Sequence, residues 1–191
     1  MWQFSSTGKI PGINGNVDMD YCYKDYTRID KPAPVEPAKP VAPPAPAKTP
    51  DVIYRVYTGK WWGEIKNYNN ENSNGYAGVE RIAVKGLAAK STVGTLKYRV
   101  HTINGKWYSW VSKYDINDWN YGVAGVTWAD IDGIQMHLEG APGYKVQYRV
   151  SLVNGVQYLG WIEDFNNINS NGYAGIYGHR IDKVQIRIVK A

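Results

Sequence analysis

The sequence predicts an all-β protein built around three internal repeats, with a β-trefoil-like arrangement expected and a β-prism as the alternative. Three recurrences carry this. Tyr54-Arg55-Val56 returns as Tyr98-Arg99-Val100 and Tyr148-Arg149-Val150. Gly75-Tyr76-Ala77-Gly78 returns as Gly122-Val123-Ala124-Gly125 and Gly172-Tyr173-Ala174-Gly175. Six residues after the last glycine of each comes Val84, Ile131 or Ile181, opening a closing segment. Copies are spaced 44 and 50 residues apart, a period typical of repeat architectures.

Each anchor reads as β structure. Tyr-Arg-Val and Ile181-Asp182-Lys183-Val184-Gln185-Ile186-Arg187-Ile188 are rich in β-branched and aromatic residues, with alternating polarity in their later part. The middle closing segment is Ile131-Asp132-Gly133-Ile134-Gln135-Met136-His137-Leu138, and the first, Val84-Lys85-Gly86-Leu87-Ala88-Ala89, is degenerate. Asn104-Gly105 and Asn154-Gly155 predict hairpin turns with both central residues at positive φ. No helical periodicity of useful length is present. Repeats of about 52–94, 95–143 and 144–191 therefore form one module over 51–191.

Two segments precede it. Residues 31–50 hold 8 of the 10 prolines. Proline donates no backbone hydrogen bond, so this stretch predicts a semi-rigid linker, reaching up to about 60 Å at ~3.1 Å per residue. Residues 1–30 are too few to bury a core alone. Their Ile10-Pro11-Gly12 to Asp18-Met19-Asp20 run reads as a loop entering a strand, a vestige of a larger domain.

Composition narrows the function. The chain has 191 residues, a net charge of +5, and 8 Trp and 16 Tyr against 2 Phe. Residues 51–191 hold 16 Lys and Arg against 12 Asp and Glu, a diffuse +4 with no basic run. That argues against nucleic acid and allows attraction to an anionic polymer. Cys22 is the single cysteine, so no intrachain disulfide is possible. No basic region followed by an apolar run opens the chain and no stretch reaches 18 apolar residues, so neither a signal peptide nor a membrane span is expected.

No group of residues reads as a catalytic centre. Asp18 and Asp20 form a carboxylate pair, read as pointing to opposite strand faces. His101, His137 and His179 occupy different repeat positions and read as ordinary surface histidines. Asp132 and Asp182 share a repeat position and read as side-chain-to-backbone bonds. No metal and no cofactor are expected.

The aromatic residues read as a binding surface. Aligned on Tyr68, Tyr114 and Phe165, the residues Trp61, Trp107 and Tyr158 share one position, and Glu64, Trp110 and Trp161 another. The first position is aromatic in every copy and reads as core. Trp62, Trp110, Trp119, Trp128 and Trp161 vary between copies and read as exposed faces on which sugar rings stack. Two matching Asn-rich loops, 69–74 and 166–171, add Asn74 and Asn171 as hydroxyl-binding candidates; the middle copy, which starts 115–120 and runs on to Gly122, is one residue longer.

Two resemblances follow from these residues. Trp2-Gln3-Phe4-Ser5-Ser6-Thr7-Gly8 followed by Gly12-Ile13-Asn14-Gly15-Asn16-Val17-Asp18-Met19-Asp20 resembles the C-terminal end of glycoside hydrolase family 25 lysozymes. The resemblance makes Asp18 the match to a family active-site aspartate. The paired Asp-x-Glu carboxylates of that family are absent from this chain, which implies a non-catalytic polypeptide. Residues 52–191 resemble the tryptophan-containing wall-binding repeats of Gram-positive phage lysins and autolysins, through the Gly-Tyr-Ala-Gly and Ile-Asp-x-Val-Gln-Ile elements. That implies attachment of a muramidase to a Gram-positive cell wall polysaccharide or peptidoglycan. The expected setting is synthesis in the host cytoplasm and action at the wall after release. A chain opening at Met1 beside a barrel strand is also read as a partner that assembles with itself or with a full-length lysin.

Overall fold

The structure, a computed structural model, describes residues 2–21, 50–68, 75–165 and 172–191. It divides into two compact units, Met1–Pro46 and Ala47–Ala191. The described residues are all β and loop, with no helix. Cys22, Asn74 and Asn171 lie outside them.

In the first unit β1 (Trp2–Gly8) pairs antiparallel with β2 (Val17–Tyr21), with register shifts at Gln3/Ser5 and Ser5/Gly8. Asp18 and Asp20 are both exposed, whereas Val17 and Met19 are half-buried. Strand side chains two apart point the same way, so the two aspartates share one face. The expectation of opposite faces is thereby corrected.

In the second unit each repeat lays down the same four pieces. The Tyr-Arg-Val strands are β3 (Val52–Tyr57), β7 (Thr95–Thr102) and β10 (Tyr144–Leu152). The aromatic segment folds back beside each, through β4 (Ile65–Lys66) in the first repeat, the Tyr98–Val111 bridge in the second and β11 (Ile162–Glu163) in the third. The Ala-Gly pairs form β5 (Ala77–Gly78), β8 (Ala124–Gly125) and β12 (Ala174–Gly175). The closing strands are β6 (Gly86–Ser91), β9 (Ile131–Glu139) and β13 (Ile181–Lys190). The degenerate first closing segment still forms a full strand, paired with β3 from Val52↔Ser91 to Tyr57↔Gly86.

Among the described residues three antiparallel sheets result, in the orders β4-β3-β6-β8, β12-β9-β7 and β11-β10-β13-β5. Each closing strand takes its last partner from another repeat. The Ala-Gly strand of the second repeat pairs with β6 of the first, that of the third with β9 of the second, and that of the first with β13 of the third. The exchange runs once around and closes. The backbone amide of Val84 donates to the Ile181 carbonyl and that of Ile131 to the Val84 carbonyl, both at 2.8 Å, so the openings of the closing strands also meet.

Glycine is required at the exchange. Gly78, Gly125 and Gly175 sit at φ 124°, 122° and 136°. A Cβ there would collide with the backbone carbonyl of Asp182, Lys85 and Asp132 respectively. Asp182 Oδ2 accepts from the Arg81 amide at 2.9 Å and Asp132 Oδ2 from the Gly178 amide at 2.8 Å. Each aspartate thus pins the turn that follows the donated Ala-Gly pair.

The core lies under the alternate residues of the long strands. Val52, Tyr54 and Val56, with Leu96, Tyr98 and Val100, and Val146, Tyr148 and Val150, are buried. The tyrosines each need a partner for a buried hydroxyl. Tyr54, Tyr98 and Tyr148 donate to the carbonyls of Gly75, Gly122 and Gly172 at 3.0, 3.0 and 2.8 Å. This bond ties the first sequence anchor to the second within every repeat. Burial raises all three phenols far above their ordinary pKa.

The Asn-Gly turns are hairpins with a different glycine requirement from the one expected. Asn104 and Asn154 are at φ 54° and 64°, and their glycines are not at positive φ. Gly105 donates its amide to Thr102 at 2.9 Å, and a Cβ would collide with the Thr102 hydroxyl. Close approach rather than backbone handedness selects glycine there.

Candidate functional site

The outward faces of the three sheets carry the chemistry. In Tyr-Arg-Val the tyrosine and valine point into the core, so the arginine between them points out. Arg55, Arg99 and Arg149 are half-buried at equivalent positions. The hairpin sets Trp61 opposite Tyr57, Trp107 opposite His101 and Tyr158 opposite Ser151. That register puts the always-aromatic position on the outer face beside the arginine. Trp61, Trp107 and Tyr158 are half-buried there, and the expectation that they are core is corrected. The next residue in each copy, Trp62, Tyr108 or Leu159, packs against the core instead. Trp62 is therefore not an exposed stacking ring; its Nε1 donates to the Thr58 hydroxyl at 2.7 Å.

On the second sheet the Arg99 guanidinium lies 5.2 Å from the Trp107 ring, 4.6 Å from Trp110 and 5.5 Å from Phe165. Its Nε donates to Gln135 at 2.7 Å. Loss of water against these rings lowers the Arg99 pKa. Beyond Trp107, Tyr177 accepts its Nε1–H at 2.9 Å and stacks on Tyr173 with centroids 4.9 Å apart. His101 sits 4.5 Å from Tyr177, its Nδ1 2.6 Å from Asp132 Oδ1. The strip runs unbroken from Tyr173 to Phe165, and Tyr177 is 50% exposed.

The third sheet repeats the pattern. Arg149 lies 4.9 Å from Tyr158, 4.5 Å from Trp161 and 5.1 Å from Tyr68. Its Nε donates to Gln185 at 2.6 Å. Arg187 approaches Trp161 to 4.0 Å. On the first sheet Glu64 replaces tryptophan and accepts the Tyr114 hydroxyl at 2.5 Å. Burial first, then this bond to Glu64, pushes the Tyr114 phenol up to about 12. Arg55 turns to the Trp62 carbonyl at 2.8 and 2.6 Å.

The remaining candidates divide. Trp119, on the longer middle loop, covers Gly86 and meets Tyr57 and Trp61 at 5.1 and 5.8 Å. It also walls an open cleft of about 220 Å³ with Tyr108, Ser109, Asn120 and Val123. Trp128 is 78% exposed. Trp110 is 36% exposed and Trp161 half-buried. The arginines and the Tyr173–Tyr177 pair were not singled out from sequence. The signal was present: an arginine invariant between two core positions of all three copies. Among the described residues no three His, Cys, Asp or Glu side chains converge as metal ligands.

Comparison with family models, with curated proteins and with solved structures finds no match.

Proposed function

We propose that residues 51–191 form a non-catalytic binding module for a cell-wall glycan, carried by a bacteriolytic muramidase of the family 25 type. The observation that supports it best is the second-sheet strip, where rings from two repeats line a continuous outward surface around Arg99. Aromatic faces cover the apolar C–H side of a sugar, and flanking donors satisfy its hydroxyls. Here Arg99, Gln135, His101 and the Tyr177 hydroxyl are polar groups within the strip. Tyr173 and Tyr177 at one end and Trp110 and Phe165 at the other offer two stacking platforms. The cyclic exchange of Ala-Gly strands among three separate sheets supports a prism-like arrangement over a trefoil. Co-sedimentation with purified Gram-positive walls tests the function. Retention of residues 51–191 is expected, and absence of retention on walls from every bacterium of a broad panel overturns it.

A second reading, assembly of this chain with itself or with a longer lysin, has its own observation. The β1–β2 sheet has two strands and exposes Ile10 and Ile13 at 42% and 53%. Among the described residues this sheet has no third strand, and a two-stranded sheet by itself is marginal in water, which favours docking on further protein. A strictly monomeric mass by light scattering, alone and with the longer enzyme, counts against this reading. Residual hydrolysis is not expected; clearing of a cell suspension by the chain alone would overturn the non-catalytic assignment.

A further inference from the structure

The three outward faces differ in charge, and the difference selects a ligand. The closing strands place Lys90, His137 and Arg187 at one equivalent position, one pleat beyond the residue paired with the Tyr-Arg-Val arginine. Each face therefore presents two basic side chains around the aromatic residue that opens the Asn-rich region: Arg55 and Lys90 near Tyr114, Arg99 and His137 near Phe165, Arg149 and Arg187 near Tyr68. On the first face Glu64 bonds Tyr114 and answers that charge. On the second, His137 faces Asp164 at 3.6 Å and Glu139 at 3.9 Å. The third face alone holds two permanent guanidinium charges at this place.

We infer that the Arg149–Trp161–Arg187 cluster is a binding site for the phosphate groups of a phosphodiester-bearing wall glycan. This rests on the wall-binding reading above. Arg149 and Arg187 lie 4.5 and 4.0 Å from the Trp161 ring. Their Nε groups are held by Gln185 and Gln147, at 2.6 and 2.7 Å. Arg149 spends one terminal nitrogen on the Tyr68 hydroxyl at 3.3 Å. The other terminal N–H groups make no hydrogen bond to the described residues. No carboxylate lies within ion-pair distance of either guanidinium among the described residues. Glu163, whose carboxyl feels the charge of Arg187, is bound by Lys145 at 2.6 Å and by the Gln147 amide. Glutamine locks therefore orient two forks that, among the described residues, keep terminal N–H donors and no ion-pair partner.

A fork pair flanking a ring suits a ligand that alternates sugar and phosphate. Phosphodiester oxygens accept the remaining N–H groups of the guanidiniums, while the neighbouring sugar stacks on Trp161, whose ring lies 5.2 Å from that of Tyr68. A single carboxylate would be satisfied by one fork and leave the other charge unanswered. Lys183, 5.8 Å from the Tyr158 ring, extends the positive edge along the same strand.

The test uses the full chain on walls of a bacterium that retains it, intact or stripped of phosphodiester-linked polymers with cold hydrofluoric acid. Stripping is expected to lower affinity at least tenfold. Arg149→Gln with Arg187→Gln is expected to lose as much on intact walls, to bind stripped walls as the parent does, and to melt within a few degrees of it. Arg187→Lys, which keeps the charge, is expected to recover part of the loss seen with Arg187→Gln. Equal retention of the parent on both wall preparations overturns the phosphate assignment and leaves wall binding standing. So does parent-like binding of intact walls by the double variant, or a loss from that variant of equal size on both preparations. Absence of retention on any intact wall overturns the wall-binding reading itself.

Discussion

Trp161 of the third repeat packs edge-on against Tyr68 of the first, centroids 5.2 Å apart, and so joins the two ends of the module across its outer surface. Trp110 and Phe165 make the corresponding contact from the second repeat to the third, and Glu64 and Tyr114 from the first to the second. These contacts follow the same cyclic order as the strand exchange. The first repeat gives both Tyr68 and its Ala-Gly strand to the third, and the other repeats hand theirs on in the same direction. The outer aromatic contacts and the fold closure therefore share junctions, and substitutions can separate them.

Closure is tested at glycine. Gly175→Ala meets both a disallowed backbone handedness and the Asp132 carbonyl, which belongs to a paired strand and has no room to retreat. The expected cost is several kcal/mol, above the roughly 1–3 kcal/mol of overpacking alone. Gly178→Ala shares positive φ, 82°, with nothing within 4 Å of its Cβ, and should cost only about 1 kcal/mol. Thermal melting of the two variants checks the contrast; equal losses would show that the carbonyl contact carries no cost.

The tie between anchors is tested at Tyr54. Its hydroxyl donates to Gly75 in a buried setting. Tyr54→Phe keeps the ring and leaves that carbonyl unpaired, so a loss of about 1–3 kcal/mol is expected. Denaturant unfolding measures it, and an unchanged midpoint with an unchanged slope counts against the tie.

Acid behaviour follows from Asp164. Desolvation by burial raises its pKa, against partial opposition from the Leu138 amide and His137. A carboxyl with a raised pKa in the folded state binds its proton more tightly there than in the unfolded chain. Its contribution to stability is fully present below the unfolded value, about 3.9, and is lost as pH rises through the folded value. Asp164→Asn keeps an acceptor for the Leu138 amide, 2.9 Å away, without a charge to desolvate. Relative to the parent it should gain melting temperature as pH rises above about 4. A difference between the two proteins that is flat with pH would refute this.

Much of the fold was legible because three copies cannot coincide by accident. The Tyr-Arg-Val strands, the Ala-Gly pairs and the closing strands all lie at their sequence positions. What escaped was face. Trp107 and its counterparts looked like core since every copy has a ring there, yet the hairpin register sets them opposite outward residues. Trp62 looked exposed since the copies vary, yet Trp62, Tyr108 and Leu159 all pack against the core. A sheet turns every side chain over when its register moves by one residue, and recurrence in sequence carries no sign for inside or outside. The pairing of Ala-Gly with another repeat was likewise invisible, since no local pattern encodes which closing strand receives it.

Four tryptophans separate core from surface. Trp62→Ala removes a ring packed on the core and its bond to Thr58, so melting should fall, by on the order of 2 kcal/mol, less than the roughly 3–5 kcal/mol of fully buried aromatics. Trp107→Ala removes a ring from the outer strip, held by Tyr177 and His101 above the sheet. It should cost less stability and weaken wall binding. Trp110→Ala and Trp161→Ala should each leave melting nearly unchanged and weaken binding several-fold, since stacking contributes on the order of 1 kcal/mol beyond area burial. The two rings stand on different faces of one module, so a polymer engaging both gains from effective concentration. Their double substitution should therefore lose well over the product of single losses measured on short fragments that reach one face only. Melting and wall affinity taken together decide the assignment. If Trp62→Ala changes affinity alone while Trp110→Ala and Trp161→Ala unfold the module, the inner and outer faces of the aromatic segment are the reverse of those assigned.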